Sequence, residues 1–256
     1  MPVNLTSINR ILGGMMILIC VEPLANAQVK VHAHNDYEKP HPFLAALQAR
    51  VYSMEADVMD IEGTLRVAHE VAEGKGAPTF EELYLLPIVN QFQLHQGRLT
   101  QDTGYILTLL IDCKTEGPGV LDKLLKLLSP YRSCFDRTLN PYAVQIVVSG
   151  NRGPKSTWEK YPNYLLFDGR PYETYSSEEL AKIAWISDDY SHYFQDQRPK
   201  PGLVQAFVSK GHQLHKLVRF WGYPDREIFW QQCADAGVDL INTDDPFSCQ
   251  AYFKAR

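Results

Sequence analysis

Cysteine is scarce, with five in 256 residues, and no Cys-x-x-Cys pair or Cys/His cluster offers a zinc ligand set. Basic blocks are missing too: 25 Lys and Arg against 30 Asp and Glu leave a net charge of −5. Without a clustered cationic face, a nucleic-acid partner has no support. Glycine-rich nucleotide loops, tandem repeats, low-complexity tracts and interdomain linkers are likewise absent from the pattern. Past residue 27 no apolar run is long enough to span a bilayer, so a mature chain without a transmembrane segment is expected.

One short apolar run does occur, at the start. Ile11–Val21 follows a lead carrying a single cation, Arg10, and precedes Ala25-Asn26-Ala27, a small-x-small cleavage pattern. Residues 1–27 are therefore read as a signal peptide, with the mature chain starting at Gln28 and a secreted or periplasmic destination. Cys20 does not suit lipoprotein processing, because Ile17 and Ile19 before it are too large. The other four cysteines, Cys113, Cys134, Cys233 and Cys249, could pair in an oxidising compartment, but nothing in their spacing fixes a pairing.

Residues 28–256 alternate short β-like runs with helical stretches, which predicts a parallel sheet with helices outside it. Strands are expected near Val29–His34, Tyr52–Val58, Leu65–His69, Ile106–Cys113, Ala143–Ser149, Tyr164–Phe167, Ile183–Ile186, Leu217–Trp221 and Leu240–Thr243. Helices are expected between most of them, some opened by capping signals such as Thr79-x-x-Glu82 and Ser176-x-x-Glu179. The length and the number of units fit a single-domain (β/α)8 TIM-type barrel. A monomer is expected.

Side chains on a strand alternate between its two faces. Met54, Ala56 and Val58 form an apolar face suited to the helix layer, which turns Ser53, Glu55 and Asp57 inward. The same parity places Asp112 and Lys114 on one face of their strand, and His32 with His34 on one face of the first. Acids, histidines and a lysine thus converge near the C-terminal strand ends, the catalytic face of such barrels. Three unpaired carboxylates would repel one another, and a hard divalent cation relieves that repulsion.

The order of these residues resembles the glycerophosphodiester phosphodiesterases and their phospholipase C-like relatives. Val31-His32-Ala33-His34-Asn35-Asp36-Tyr37, Met54-Glu55-Ala56-Asp57-Val58, Leu65-Arg66-Val67-Ala68-His69-Glu70 and Leu110-Ile111-Asp112-Cys113-Lys114 follow that family's motif order. The Asp-x-Lys pair is similar to sphingomyelinase D, where many phosphodiesterases carry Glu. Val218-Arg219-Phe220-Trp221-Gly222 and the closing Ile241-Asn242-Thr243-Asp244-Asp245-Pro246 resemble its last two strands. One departure is clear: His-Arg-Gly becomes His34-Asn35-Asp36, removing an arginine that would contact phosphate.

The resemblance implies a metal-dependent phosphodiesterase acting on a small-molecule or lipid phosphodiester. It implies Glu55, Asp57 and Asp112 as ligands of one Mg²⁺ or Ca²⁺, with His34 and His69 as general base and acid. Lys114, Trp221, Asn35 and His32 become substrate contacts, and His32 also competes with His34 for the catalytic role. Arg152, Asp168 and Arg170 are read as surface pairs, and Asp188-Asp189-Tyr190 as a solvated turn. Tyr161, Tyr164, Tyr172 and Tyr175 suit either a substrate-facing rim or loop packing. Two rivals share the pattern: an amidohydrolase- or polymerase-and-histidinol-phosphatase-type metallohydrolase, which also opens with His-x-His, and a non-catalytic secreted binding protein.

Overall fold

The computed structural model describes residues 29–196 and 198–255. The expected signal peptide, residues 1–27, lies outside the described residues. Eight parallel strands close into a barrel: β1 (Lys30–Ala33), β2 (Ser53–Ile61), β4 (Thr108–Cys113), β5 (Gln145–Gly150), β6 (Leu165–Gly169), β7 (Ile183–Asp189), β10 (Leu217–Trp221) and β11 (Leu240–Thr243). The ring shuts where β1 pairs with β11 on one side and β2 on the other. β3 (Thr64–Val67) stands outside this ring, antiparallel to β2. A two-residue ribbon, β8 (Phe194–Gln195) with β9 (Arg198–Pro199), follows β7.

The expected strand near Leu65–His69 is therefore half of a hairpin. Glu62 and Gly63 both adopt positive φ, 51° and 89°, as a two-residue turn between twisted antiparallel strands requires. Helices α1 (Leu44–Ala49), α2 (Leu86–Leu94), α3 (Gly117–Leu128), α4 (Ser177–Ala181), α5 (Pro201–Gln213), α6 (Glu227–Asp235) and α7 (Pro246–Lys254) occupy the predicted intervals. Both capping signals close as expected: Ser176 and Glu179 form a reciprocal box, and Thr79 does the same with Glu82. Thr79 opens a π-wound turn, Glu81–Leu85, before α2. Among the described residues no helix is long and apolar enough to cross a membrane.

Alternation along each strand sorts the side chains into two cores. The outward positions Met54, Ala56, Val58, Leu109, Ile111, Ile146 and Val148 join Leu121, Leu124 and Phe229 of the helix layer in one large buried cluster. The inward positions Leu110, Val147, Trp185 and Leu240 plug the barrel as a small separate cluster. Each large apolar side chain so buried stabilises the fold by roughly 1.5–3 kcal/mol.

Ser149, Ser187 and Asn242 stand two residues beyond Val147, Trp185 and Leu240, where the barrel interior turns polar. His32, Ser53, Glu55, Ser149, Asp168, Ser187, Arg219 and Asn242 are all buried there. Asp168 is thus no surface pair: it accepts from Ser149 Oγ at 3.0 Å and pairs with the buried Arg170 at 2.8 Å. Asp188 and Tyr190 are also buried, so the expected solvated turn is a packed strand end. Inward parity encloses Asp168, whereas Asp188 and Tyr190 share the outward parity of Ile186 and are covered from the helix side. Of the four tyrosines, Tyr172 is exposed while Tyr164 is buried, and no common rim results.

Arg219 Nη1 serves Glu55 Oε2 at 3.1 Å and Asn242 Oδ1 at 3.0 Å in the centre of this layer. Removing Arg219 would leave a buried carboxylate with little compensation. Arg219→Met should cost about 3–5 kcal/mol in urea unfolding at pH 7. Adding Glu55→Leu should recover most of that loss, and a cost below about 1 kcal/mol for the single variant would contradict the pairing.

Candidate active site

The site is built by register. β2 and β4 pair so that Asp57 lies beside Asp112, and Glu55 sits one inward step below Asp57. Ligand oxygens of Glu55, Asp57 and Asp112 fall within 4.8 Å of one another. Gly150, in register with Cys113, permits this closeness: at φ +64° a Cβ there would lie 2.7 Å from Asp112 Oδ1. Lys114 follows at the end of β4 and donates to Asp57 Oδ2 at 2.8 Å and Asp112 Oδ2 at 2.7 Å. Its two carboxylate partners outweigh burial and raise the Lys114 pKa, so the ammonium persists.

The three acids differ in their surroundings. Burial works against the charge of Glu55, yet Arg219 and His32 hold its carboxyl well below the usual range. Asp57 is fully buried, and burial together with the Glu55 charge raises its carboxyl despite Lys114. Asp57 Oδ1 is also buried without a hydrogen-bond partner. A buried carboxylate oxygen without a hydrogen-bond partner, on an acid grouped with two others, is what a divalent cation would satisfy, so the donor set fits the expected metal. The ligand group is made of carboxylates alone, which suits Mg²⁺ or Ca²⁺ better than zinc.

Two histidines sit at the mouth, each with a carboxylate on Nδ1. His34 follows β1, and its Nδ1 lies 2.9 Å from Asp244 Oδ1; His69 follows β3, and its Nδ1 lies 2.9 Å from Asp57 Oδ2. An Nδ1–H donated to a carboxylate leaves Nε2 as the acceptor of the neutral ring, and in His69 that atom lies 3.9 Å from Glu70 Oε1. Burial pulls the His34 pKa down, but the Asp244 hydrogen bond and the Glu55 charge outweigh it and raise it. Asp244 is itself held in place. Asp225 Oδ2 accepts from Asp244 N at 2.7 Å, Asp245 N at 3.2 Å and Thr243 Oγ1 at 3.0 Å.

His32 has a different environment. It is fully buried; Nδ1 lies 2.7 Å from Ser53 Oγ and Nε2 2.5 Å from Arg219 Nη1. Nε2 also lies 2.9 Å from Glu55 Oε2, so this nitrogen sits between the guanidinium and the carboxylate. Burial and the Arg219 charge push its pKa down to about 4, keeping the ring neutral. Asn35 takes the left-handed conformation, φ 44°, and caps the short turn Asp36–Glu38. Trp221, at the end of β10, lies against the Arg170 guanidinium at 4.7 Å.

Four contributors escaped the sequence reading: Tyr37, Arg219, Asp225 and Asp244. Arg219 shares parity with Trp221, and that signal could have found it. Tyr37 and Asp225 lie in loops, where periodicity says nothing. Asp244 looks like a helix cap, but Asp245 caps α7 through Ser248 N.

A parallel eight-stranded barrel with Glu-x-Asp, a third acid and two histidines at its C-terminal mouth defines the glycerophosphodiester phosphodiesterase type of fold. A solved structure of a glycerophosphodiester phosphodiesterase from Parabacteroides distasonis superposes with a TM-score of 0.60 over 91% of this chain and 99% of that one, at 16% identity. A Ca²⁺-dependent phosphatidylinositol-specific phospholipase C from Streptomyces antibioticus gives 0.51 over 88% of this chain and 95% of that one, at 11% identity. The chain belongs to the AIM6-like phosphodiesterase domain family, whose profile matches residues 25–160. The altered inheritance of mitochondria protein 6 homolog of Arthroderma benhamiae is 24% identical over 267 residues, covering 88% of this chain and 84% of that protein.

The His34–Asp244 pair sets a pH window. The His34 pKa is raised above 6.5 and that of Asp244 lowered below 3.8. Its stabilisation is therefore full between those values, lost on acidification through the lowered Asp244 pKa and lost on alkalinisation through the raised His34 pKa. Asp244→Asn should lower the His34 pKa in an NMR titration and narrow the stability gap to wild type above that window. An unshifted His34 would contradict the assignment.

Proposed function

We propose that the chain is a metal-dependent phosphodiesterase cleaving a glycerophosphodiester or phospholipid-like substrate. The observation that carries the reading is the convergence of Glu55, Asp57 and Asp112 within 4.8 Å, beside two histidines whose Nδ1 atoms face carboxylates. Fold and family agree with it.

In this reading Glu55, Asp57 and Asp112 hold one Mg²⁺ or Ca²⁺. When bound, the cation polarises a phosphoryl oxygen and lowers the pKa of a coordinated hydroxyl. His34 Nε2 removes a proton from the attacking oxygen while Asp244 stabilises the imidazolium that results. His69 Nε2 delivers a proton to the departing alcohol, and Asp57 fixes its ring. Lys114 and Asn35 meet the phosphate oxygens, and Trp221 walls the site for the alcohol. His32 serves the site from below by orienting Glu55: a neutral, enclosed ring cannot trade protons with substrate. Export as a monomer with Gln28 at the amino terminus completes the proposal, and N-terminal sequencing of chain secreted with its leader checks the cleavage.

Phosphorus NMR on a panel of phosphodiesters tests the chemistry. Turnover with added Mg²⁺ or Ca²⁺ is expected, with loss in EDTA and recovery on readdition. His34→Ala and His69→Ala should each lower kcat by roughly 10²–10⁴. Full activity in either variant would overturn its assigned role.

A further inference from the structure

A carboxylate has two oxygens, and whichever is held by donors leaves the other to face a cation. Asp57 Oδ2 accepts three donors: Tyr37 Oη at 2.8 Å, Lys114 Nζ at 2.8 Å and His69 Nδ1 at 2.9 Å. Oδ1, buried, accepts none. The three donors are not equal. Lys114 divides its ammonium with Asp112 and sits on a flexible stem. His69 is half exposed, with 51% of its side chain accessible, and in the proposed mechanism it cycles its charge. Tyr37 is a stiff phenol whose partly buried ring packs against the core.

The turn carrying Tyr37 is pinned as well. Asp36, buried beside it, accepts from Phe43 N at 2.6 Å and from Tyr84 Oη at 3.0 Å. Tyr37 Oη also lies 3.4 Å from both Asn35 Oδ1 and His69 Nδ1, at the meeting point of two motifs. A carboxylate oxygen only accepts, so in this 2.8 Å contact the phenol hydroxyl is the donor.

We infer that Tyr37 is a positioning residue: its hydroxyl fixes the rotation of Asp57 so that Oδ1 is presented to the divalent cation. The inference rests on the reading of Glu55, Asp57 and Asp112 as a cation site. A donor behind a ligating carboxylate commonly governs affinity as strongly as some ligands do.

Mn²⁺, a hard oxygen-seeking probe, can be titrated into substrate-free protein and counted through the EPR signal of the free ion. Wild type should bind one ion per chain. Tyr37→Phe, which keeps the ring and its packing, should raise Kd roughly ten- to a hundredfold. Its circular dichroism in EDTA should match wild type, and most of the phosphodiesterase rate should return at saturating Mn²⁺. Tyr37→Met, another donor-free side chain, should shift Kd in the same direction. Intact wild-type binding with an unchanged Kd in both variants overturns this inference alone. Absence of stoichiometric binding in wild type overturns the cation site and this inference with it.

Discussion

Everything at the mouth of this barrel follows from one enforced proximity. The register of β2 against β4 sets Asp57 beside Asp112, with Glu55 a single inward step away, so three carboxylates share a space too small for three free charges. The fold compensates them unequally. Glu55 is neutralised from beneath by Arg219, while Lys114 divides its charge between the other two. What is left is a buried, unsatisfied oxygen on Asp57. Such a group is costly unless something of positive charge completes it.

The barrel affords this arrangement because its interior is tiered. The plug of Leu110, Val147, Trp185 and Leu240 closes the bottom and supplies hydrophobic stability. Above it the polar layer from His32 round to Asn242 is cross-linked by Arg219 and by the Asp168–Arg170 pair. That layer fixes the strand ends from which the acids project. It also explains the two histidines of the first strand: His32 is locked into the layer, and His34 stands above it with Asp244.

Much of this was legible in the sequence, because period-two alternation depends only on local backbone geometry. Met54, Ala56 and Val58 against Ser53, Glu55 and Asp57 gave the inward face of β2, and the same parity placed Asp112 and Lys114. What alternation does not encode is the partner of a strand. Leu65–His69 reads like any barrel strand, and only Glu62-Gly63 hints at the hairpin that carries His69 to the mouth. Contacts across many residues, such as His34 with Asp244 or Glu55 with Arg219, arise when the ring closes and leave no local trace. Tyr37 stands on a loop pinned by Asp36, where neither periodicity nor spacing marks it.

The central claim is that Glu55, Asp57 and Asp112 form one divalent-cation site at the catalytic face. A crystal soaked in Mn²⁺ and measured for anomalous scattering tests it most directly. A single peak within metal–oxygen distance, roughly 2.0–2.6 Å, of all three carboxylates is the expected result. No peak there, or one centred on His32 and His34, would contradict the account.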